Sequence, residues 1–168
     1  MITNKEEVCG DFEKLINLQL KEKHPKSWMR AFFNMGLINY IEGSRRMLPC
    51  QAGEMNFFVE PYGDIYPCNG LEKKYWKKSM GNIRETPNFK EIWEGEQAEQ
   101  VRQMVRRCPK NCWMVGTASP VMHKYIKYPL KWALKNKLRS LQGKTACLDK
   151  CWYNVGQDPS QGDLREVF

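Results

Sequence analysis

No apolar run approaches the roughly 18–20 residues that a membrane-spanning helix needs, so nothing in this sequence reads as a helix crossing a bilayer. The N-terminus, MITNKEEVCGDFEK, is polar with acids throughout and reads as neither a secretory signal nor a transit peptide. The cytosol is the expected compartment. Histidine is scarce: His24 and His123 are the only two, and neither has a carboxylate or nucleophile at readable spacing. No nucleophile elbow, phosphate loop or paired-carboxylate motif occurs, which removes the common hydrolase and nucleotide-binding readings. Acids are rare in one late segment. Residues 113–151 carry eight Lys/Arg and one acid, so most of the net charge of +8 sits there.

What the chain does have is cysteine. Seven in 168 residues is many for a reducing compartment: Cys9, Cys50, Cys68, Cys108, Cys112, Cys147 and Cys151. In the cytosol such pairs point to metal or redox chemistry rather than to a disulfide frame. Cys9 sits beside Val8 on a helical pattern and reads as an inert, buried thiol.

Cys50 and Cys68 bracket an apolar strand, a turn and a second strand. Phe57-Phe58-Val59 suits a strand, and Pro61-Tyr62-Gly63-Asp64 a turn, with Ile65-Tyr66 running back. The hairpin is expected to bring both cysteines to one end of a small sheet. Cys108 and Cys112 follow in a tight turn. Closing the roughly 40-residue loop between Cys68 and Cys108 costs about 3 kcal/mol plus a constant. A structural metal contributes roughly 10–16 kcal/mol, at least for zinc in small peptides, so the gap is no obstacle. Spacing alone leaves zinc and iron–sulfur both open.

The rest reads as helix. Thr3 to Glu6 fits a capping box, followed by Val8, Phe12, Leu15 and Ile16 at helical spacing, with His24-Pro25 ending the helix. Ser27 can cap a second helix bearing Trp28, Phe32, Met35 and Ile38, stopped at Gly43. A polar insertion, Leu71 to Met80, carries four lysines. Gly81-Asn82-Ile83 reads as a turn into a strand. Thr86-Pro87 reads as a helix start carrying Phe89, Ile92 and Trp93, and a further helix carries Val101, Met104 and Val105. Ser119-Pro120 is expected to start another helix and Pro129 the last one. The aromatics Phe57, Phe58, Tyr66, Trp93 and Trp113 are expected in the core. The expected fold is α+β, mostly helical by residue count: a small antiparallel hairpin or sheet around a Cys-ligated cluster, packed with several helices. Three segments are expected: helical 1–47, cysteine-bearing 48–115, and a basic helical extension 116–168 with a loose tail from Gln157 to Asp163.

The order of short motifs is more specific than any one of them. CxAG at Cys50 to Gly53, then FxxPxGDxYPC ending in Pro67-Cys68, Gly81-Asn82-Ile83, Ile92-Trp93, and Cys108 and Cys112 before Trp113 follow in sequence. Residues 48–113 resemble the auxiliary-cluster domain of radical SAM enzymes, the SPASM domain or its single-cluster form, the twitch domain. The resemblance implies a 4Fe–4S cluster on Cys50, Cys68, Cys108 and Cys112, serving electron transfer or substrate positioning. It also implies an upstream barrel with Cys-x-x-x-Cys-x-x-Cys that binds S-adenosylmethionine. That motif is nowhere in this chain. The barrel is therefore expected in a longer polypeptide or in trans, and this chain alone is not expected to be catalytically competent. Cys147 and Cys151 depart from the family's second-cluster spacing. They read as a flanking thiol pair, as a substitute ligand, or as ligands of a second cluster. A zinc-stabilised interaction module is the alternative reading of the whole.

On the last helix, Leu130, Leu134, Leu138 and Leu141 share one arc, with Lys127, Lys131, Lys135 and Arg139 beside them at steps of four. Residues 124–144 therefore read as a solvated face, as a peripheral membrane contact, or as a dock for an acidic partner. Nucleic acid is disfavoured, because isolated basic helices bind phosphates without specificity.

Overall fold

The structure is a computed structural model and describes residues 4–69, 78–108 and 110–148. Most of the insertion at 71–80, the tail from Gln157 to Asp163, and Thr3 and Cys151 lie outside those residues. The described residues hold six helices and one three-stranded antiparallel sheet, an α+β arrangement as expected. They divide into two compact units. One is made by the chain up to Leu48 and from Lys110 on, the other by Pro49 to Cys108.

The first unit is helical. α1 (Lys5–Lys21) and α2 (Pro25–Ile41) form an antiparallel pair against which α6 (Lys127–Leu141) packs. The stripe that α1 buries runs Cys9, Phe12, Ile16 and Leu20, at helical spacing. Leu15, expected on that face, is exposed. The cap also differs: α1 starts behind Asn4, whose side chain donates to the Glu7 carboxylate. Pro25 does not close α1 but opens α2 at its first position, where its missing N–H is no loss. Ser27, expected as the cap, is inside that helix, its N–H donating to His24 O at 2.9 Å.

α2 carries the hub. Phe32 is buried and meets Trp132 of α6 edge-to-face at 5.6 Å and Trp113 at 6.5 Å. Burial of each such side chain contributes roughly 1.5–3 kcal/mol. At its end, Gly43 N donates to Tyr40 O and Ser44 N to Asn39 O, the paired bonds that close a helix at the expected glycine.

α5 (Val115–Lys124) starts four residues before the expected Ser119-Pro120 and keeps Pro120 in its interior. Burial of Thr117, Ala118, Val121 and Met122 in the same core outweighs the hydrogen bond that proline forgoes. α6 likewise begins two residues before Pro129, which sits in its first turn. Its inward face is Pro129, Trp132, Ala133 and Asn136.

The second unit is built on the hairpin. β1 (Phe58–Val59) pairs with β2 (Asp64–Tyr66) in the register Phe58↔Tyr66 and Val59↔Ile65. Glu60 N donates to Asp64 O and Gly63 N to Glu60 O, with Gly63 at φ +94, a tight loop that needs glycine there. Gly81-Asn82 is itself the strand β3 (Gly81–Asn82), and the turn comes after it. α3 (Phe89–Glu94) starts behind Asn88, not Thr86: the Asn88 side chain accepts from Lys90 N. Asparagine is the better cap because its carbonyl reaches that N–H directly. α4 (Glu96–Arg106) follows. The core is Ala52, Ile65, Tyr66, Met80, Ile92, Ala98, Val101 and Val105.

Tyr66 and Trp113 are buried as expected and Trp93 is half-buried. Phe57 and Phe58 are exposed. Phe57 instead joins Phe89 and Trp93 in a cluster with ring centroids 4.9–5.7 Å apart. A sheet with so short a β1 has too little area to bury both faces of its first strand.

Candidate metal centre

Cys50, Cys68 and Cys108 belong to the second unit. Cys50 and Cys68 pack directly against that core. Cys108 ends the turn after α4, its N–H donating to Val105 O at 3.0 Å, and Val105 is a core residue.

The Cys50 loop is closed by its own backbone bonds and tied to the Cys68 strand end by Asn56. After Cys50 the chain turns, with Met55 N donating to Gln51 O at 2.9 Å and Gly53 N to Asn56 O at 2.8 Å. Asn56 Nδ2 then donates to Pro67 O at 3.2 Å, one residue before Cys68. Gly53 stands at φ +77, and a Cβ there would lie 3.1 Å from Pro67 Cβ. Gly53→Ala is expected to lower stability by about 2 kcal/mol, since both a left-handed backbone and a close contact oppose the methyl. Urea unfolding of the full chain checks this as a lower midpoint.

Arg102 of α4 holds the same loop from the other side. Its Nε donates to Gly53 O at 2.7 Å and an Nη to Trp93 O at 2.6 Å. The guanidinium lies 4.7 Å from the Trp93 ring centroid, and Glu99 is 3.6 Å away. Arg106, one turn on, bonds Glu99 and Glu54. These carboxylates, Glu99 first, raise its basicity above that of an ordinary arginine. Arg102 was not singled out from sequence. Its only signal was a position four residues before the basic pair Arg106-Arg107, which looks like any charged helix face.

Cys112 is placed by the helical unit. Asn111 Nδ2 donates to Tyr40 O at 3.2 Å and to Ser44 O at 3.0 Å, at the end of α2. Trp113 Nε1 donates to Phe33 O at 2.8 Å, and its ring lies against Gly36, where a Cβ would be 2.1 Å from the indole. Arg46, buried, donates to the carbonyls of Cys112, Leu48 and Thr117 and lies 5.4 Å from the Trp113 ring centroid. One side chain thus fixes the backbone at Leu48, Cys112 and Thr117.

Cys147 is held elsewhere in the helical unit. Its N–H donates to Asn136 Oδ1 at 2.6 Å, and Ala146 N to Asn17 Oδ1 at 2.8 Å. Cys9 packs against the helical core. Cys151 lies outside the described residues.

Cys50, Cys68, Cys108 and Cys112 are thiols rather than disulfides, and each is half-buried. A set of four sulfurs, shielded but reachable, suits zinc or iron–sulfur and not the oxygen-seeking metals. Among the described residues, no three Cys, His, Asp or Glu side chains already stand together as a metal site. Cys50 and Cys68 share a core, Cys108 is bonded through its backbone to Val105 of that core, and Cys112 is fixed by different neighbours.

Residues 50–114 match the family model of SPASM, an iron–sulfur cluster-binding domain. The match spans all four cysteines and ends just after Trp113. No curated protein and no solved structure matches the chain.

Proposed function

We propose that Cys50, Cys68, Cys108 and Cys112 hold one 4Fe–4S cluster, and that the chain serves a radical SAM barrel by electron transfer or substrate positioning. The observation that carries this is the SPASM match over residues 50–114, which includes these four half-buried thiols. S-adenosylmethionine enters only through the barrel, which belongs to the same polypeptide or acts in trans. When bound, the cluster would supply one-electron chemistry.

The chain's own residues do the positioning. Arg102 and Asn56 hold the Cys50 loop against the Cys68 strand end. Arg46, Asn111 and Trp113 set the backbone at Cys112. The apolar side chains beside Cys50 and Cys68 would limit water around a bound cluster, which tunes its potential. Cys147 is left as a flanking thiol, which leaves one cluster rather than two.

Anaerobic reconstitution of the full chain with iron and sulfide, followed by absorbance, EPR and metal analysis, tests the reading. About four irons and four sulfides per chain, with a 4Fe–4S EPR signal on reduction, are expected. Stoichiometric zinc with no cluster signal would replace it with the zinc-module reading. Affinity isolation from the native source tests the barrel: a Cys-x-x-x-Cys-x-x-Cys barrel should be found in the same polypeptide or eluting with it.

A further inference from the structure

The leucine arc of α6 faces outward. Pro129, Trp132, Ala133 and Asn136 take the core side of the helix. At about 100° per residue, Leu130, Leu134, Leu138 and Leu141 fall within an arc of about 80° opposite them. All four are exposed, Leu138 by 62% and Leu141 by 72%. Single exposed leucines are ordinary, but four in a row along one helix form a continuous apolar strip. Lys127, Lys131 and Lys135 are exposed on the same side, and α6 contains no acid.

We propose that this strip of α6 docks on an anionic lipid surface, with the leucines entering the interface and the lysines meeting phosphate headgroups. Three features select that occupant. The positive charge needs an anionic partner, and it repels a second copy of the same face. The leucines need an apolar receiver, which a nucleic acid backbone does not offer. The lysine stems flank the leucines, so they can lie along the acyl boundary while their ammonium groups stay in water. The rest of α6 is already committed to the core, so the helix presents the strip without unfolding. The inference does not rest on the cluster, because the helical unit has its own core.

The test is sedimentation of the full chain with vesicles of phosphatidylcholine, with and without phosphatidylserine, at low and near-physiological salt. Binding to the phosphatidylserine vesicles alone is expected. The pair Leu134→Gln and Leu138→Gln should weaken it by about tenfold or more. The pair Lys131→Gln and Lys135→Gln should weaken it by about twenty-fivefold, at roughly fivefold for each lysine. Unfolding midpoints are measured alongside. If that of the leucine pair moves, Leu138→Gln alone decides, with a loss of about fivefold expected. Equal binding to both vesicle types overturns the proposal, as does no binding. Leucine variants that bind like the parent overturn it too, since charge alone would then explain adsorption. Capture by polyglutamate or RNA, with no vesicle binding, overturns it in favour of a soluble polyanion.

Discussion

Replacing Cys68 by Ser is expected to leave the full chain without a stable cluster after anaerobic reconstitution, while Cys147→Ser keeps the parent's iron and sulfide content. A serine hydroxyl stays protonated near neutral pH and is a poor, hard ligand for iron held by sulfide. Cys68 also follows Pro67, which is pinned by Asn56 and lies against Gly53, so its backbone is held in place. Cys147 is tied through its N–H to Asn136, in the helical unit. Metal analysis and EPR on the two variants side by side are the check. Loss of the cluster in Cys147→Ser would show that the ligand set is wrong. Equal loading in Cys68→Ser would remove the hairpin from the site altogether.

Arg46→Ala is expected to cost about 3 kcal/mol or more of stability, among the largest single effects in the chain. The change leaves the carbonyls of Leu48, Cys112 and Thr117 without their donor, each worth roughly 1–3 kcal/mol when buried. It also removes the cation over the Trp113 ring. Water entering the space recovers part of the loss, which is why the figure lies below the full sum. Urea unfolding should show a midpoint lower by about 1 M or more. Gly36→Ala gives an independent reading of the same region. A methyl there would overlap the Trp113 indole, itself held by Phe33 O, so a loss of about 1–3 kcal/mol is expected despite alanine's better helix propensity. An unmoved midpoint in both variants would mean that Arg46 and Trp113 do not lock the chain at Cys112. Reconstitution of Arg46→Ala below its unfolding midpoint then separates the roles. A folded variant that loads less iron marks Arg46 as a positioning residue for Cys112.

The cysteines, the hairpin and the leucine arc were legible because each is a local signal. A hairpin needs only strand formers around a turn with glycine at the left-handed position, and Val59, Pro61 and Gly63 supply it within five residues. The order of Cys50, Gly53, Gly63, Cys68, Gly81-Asn82 and Cys108 then resembles one family, whose model matches residues 50–114. Caps and helix starts were less legible. Thr86-Pro87 and Ser119-Pro120 both have the local chemistry of a start. Asn88 captured the first, and burial of Thr117 and Ala118 drew α5 back past the second.

By itself, then, the sequence determined the candidate sulfur ligands, the hairpin that two of them bracket and the character of the segment around them. These depend on residue type and on spacing along the chain. Tertiary structure decided which apolar arc of α6 is inside. Trp132 and Ala133 form one apolar arc and the four leucines another, and periodicity cannot rank them. Packing does: Trp132 meets Phe32, and Asn136 between them reaches Cys147 N, so the leucines are turned out. It also decided that Arg46, distant in sequence from Cys112 and Thr117, would hold both. A buried arginine and a surface arginine look the same in a sequence, because the difference lies only in which carbonyls the fold brings to it.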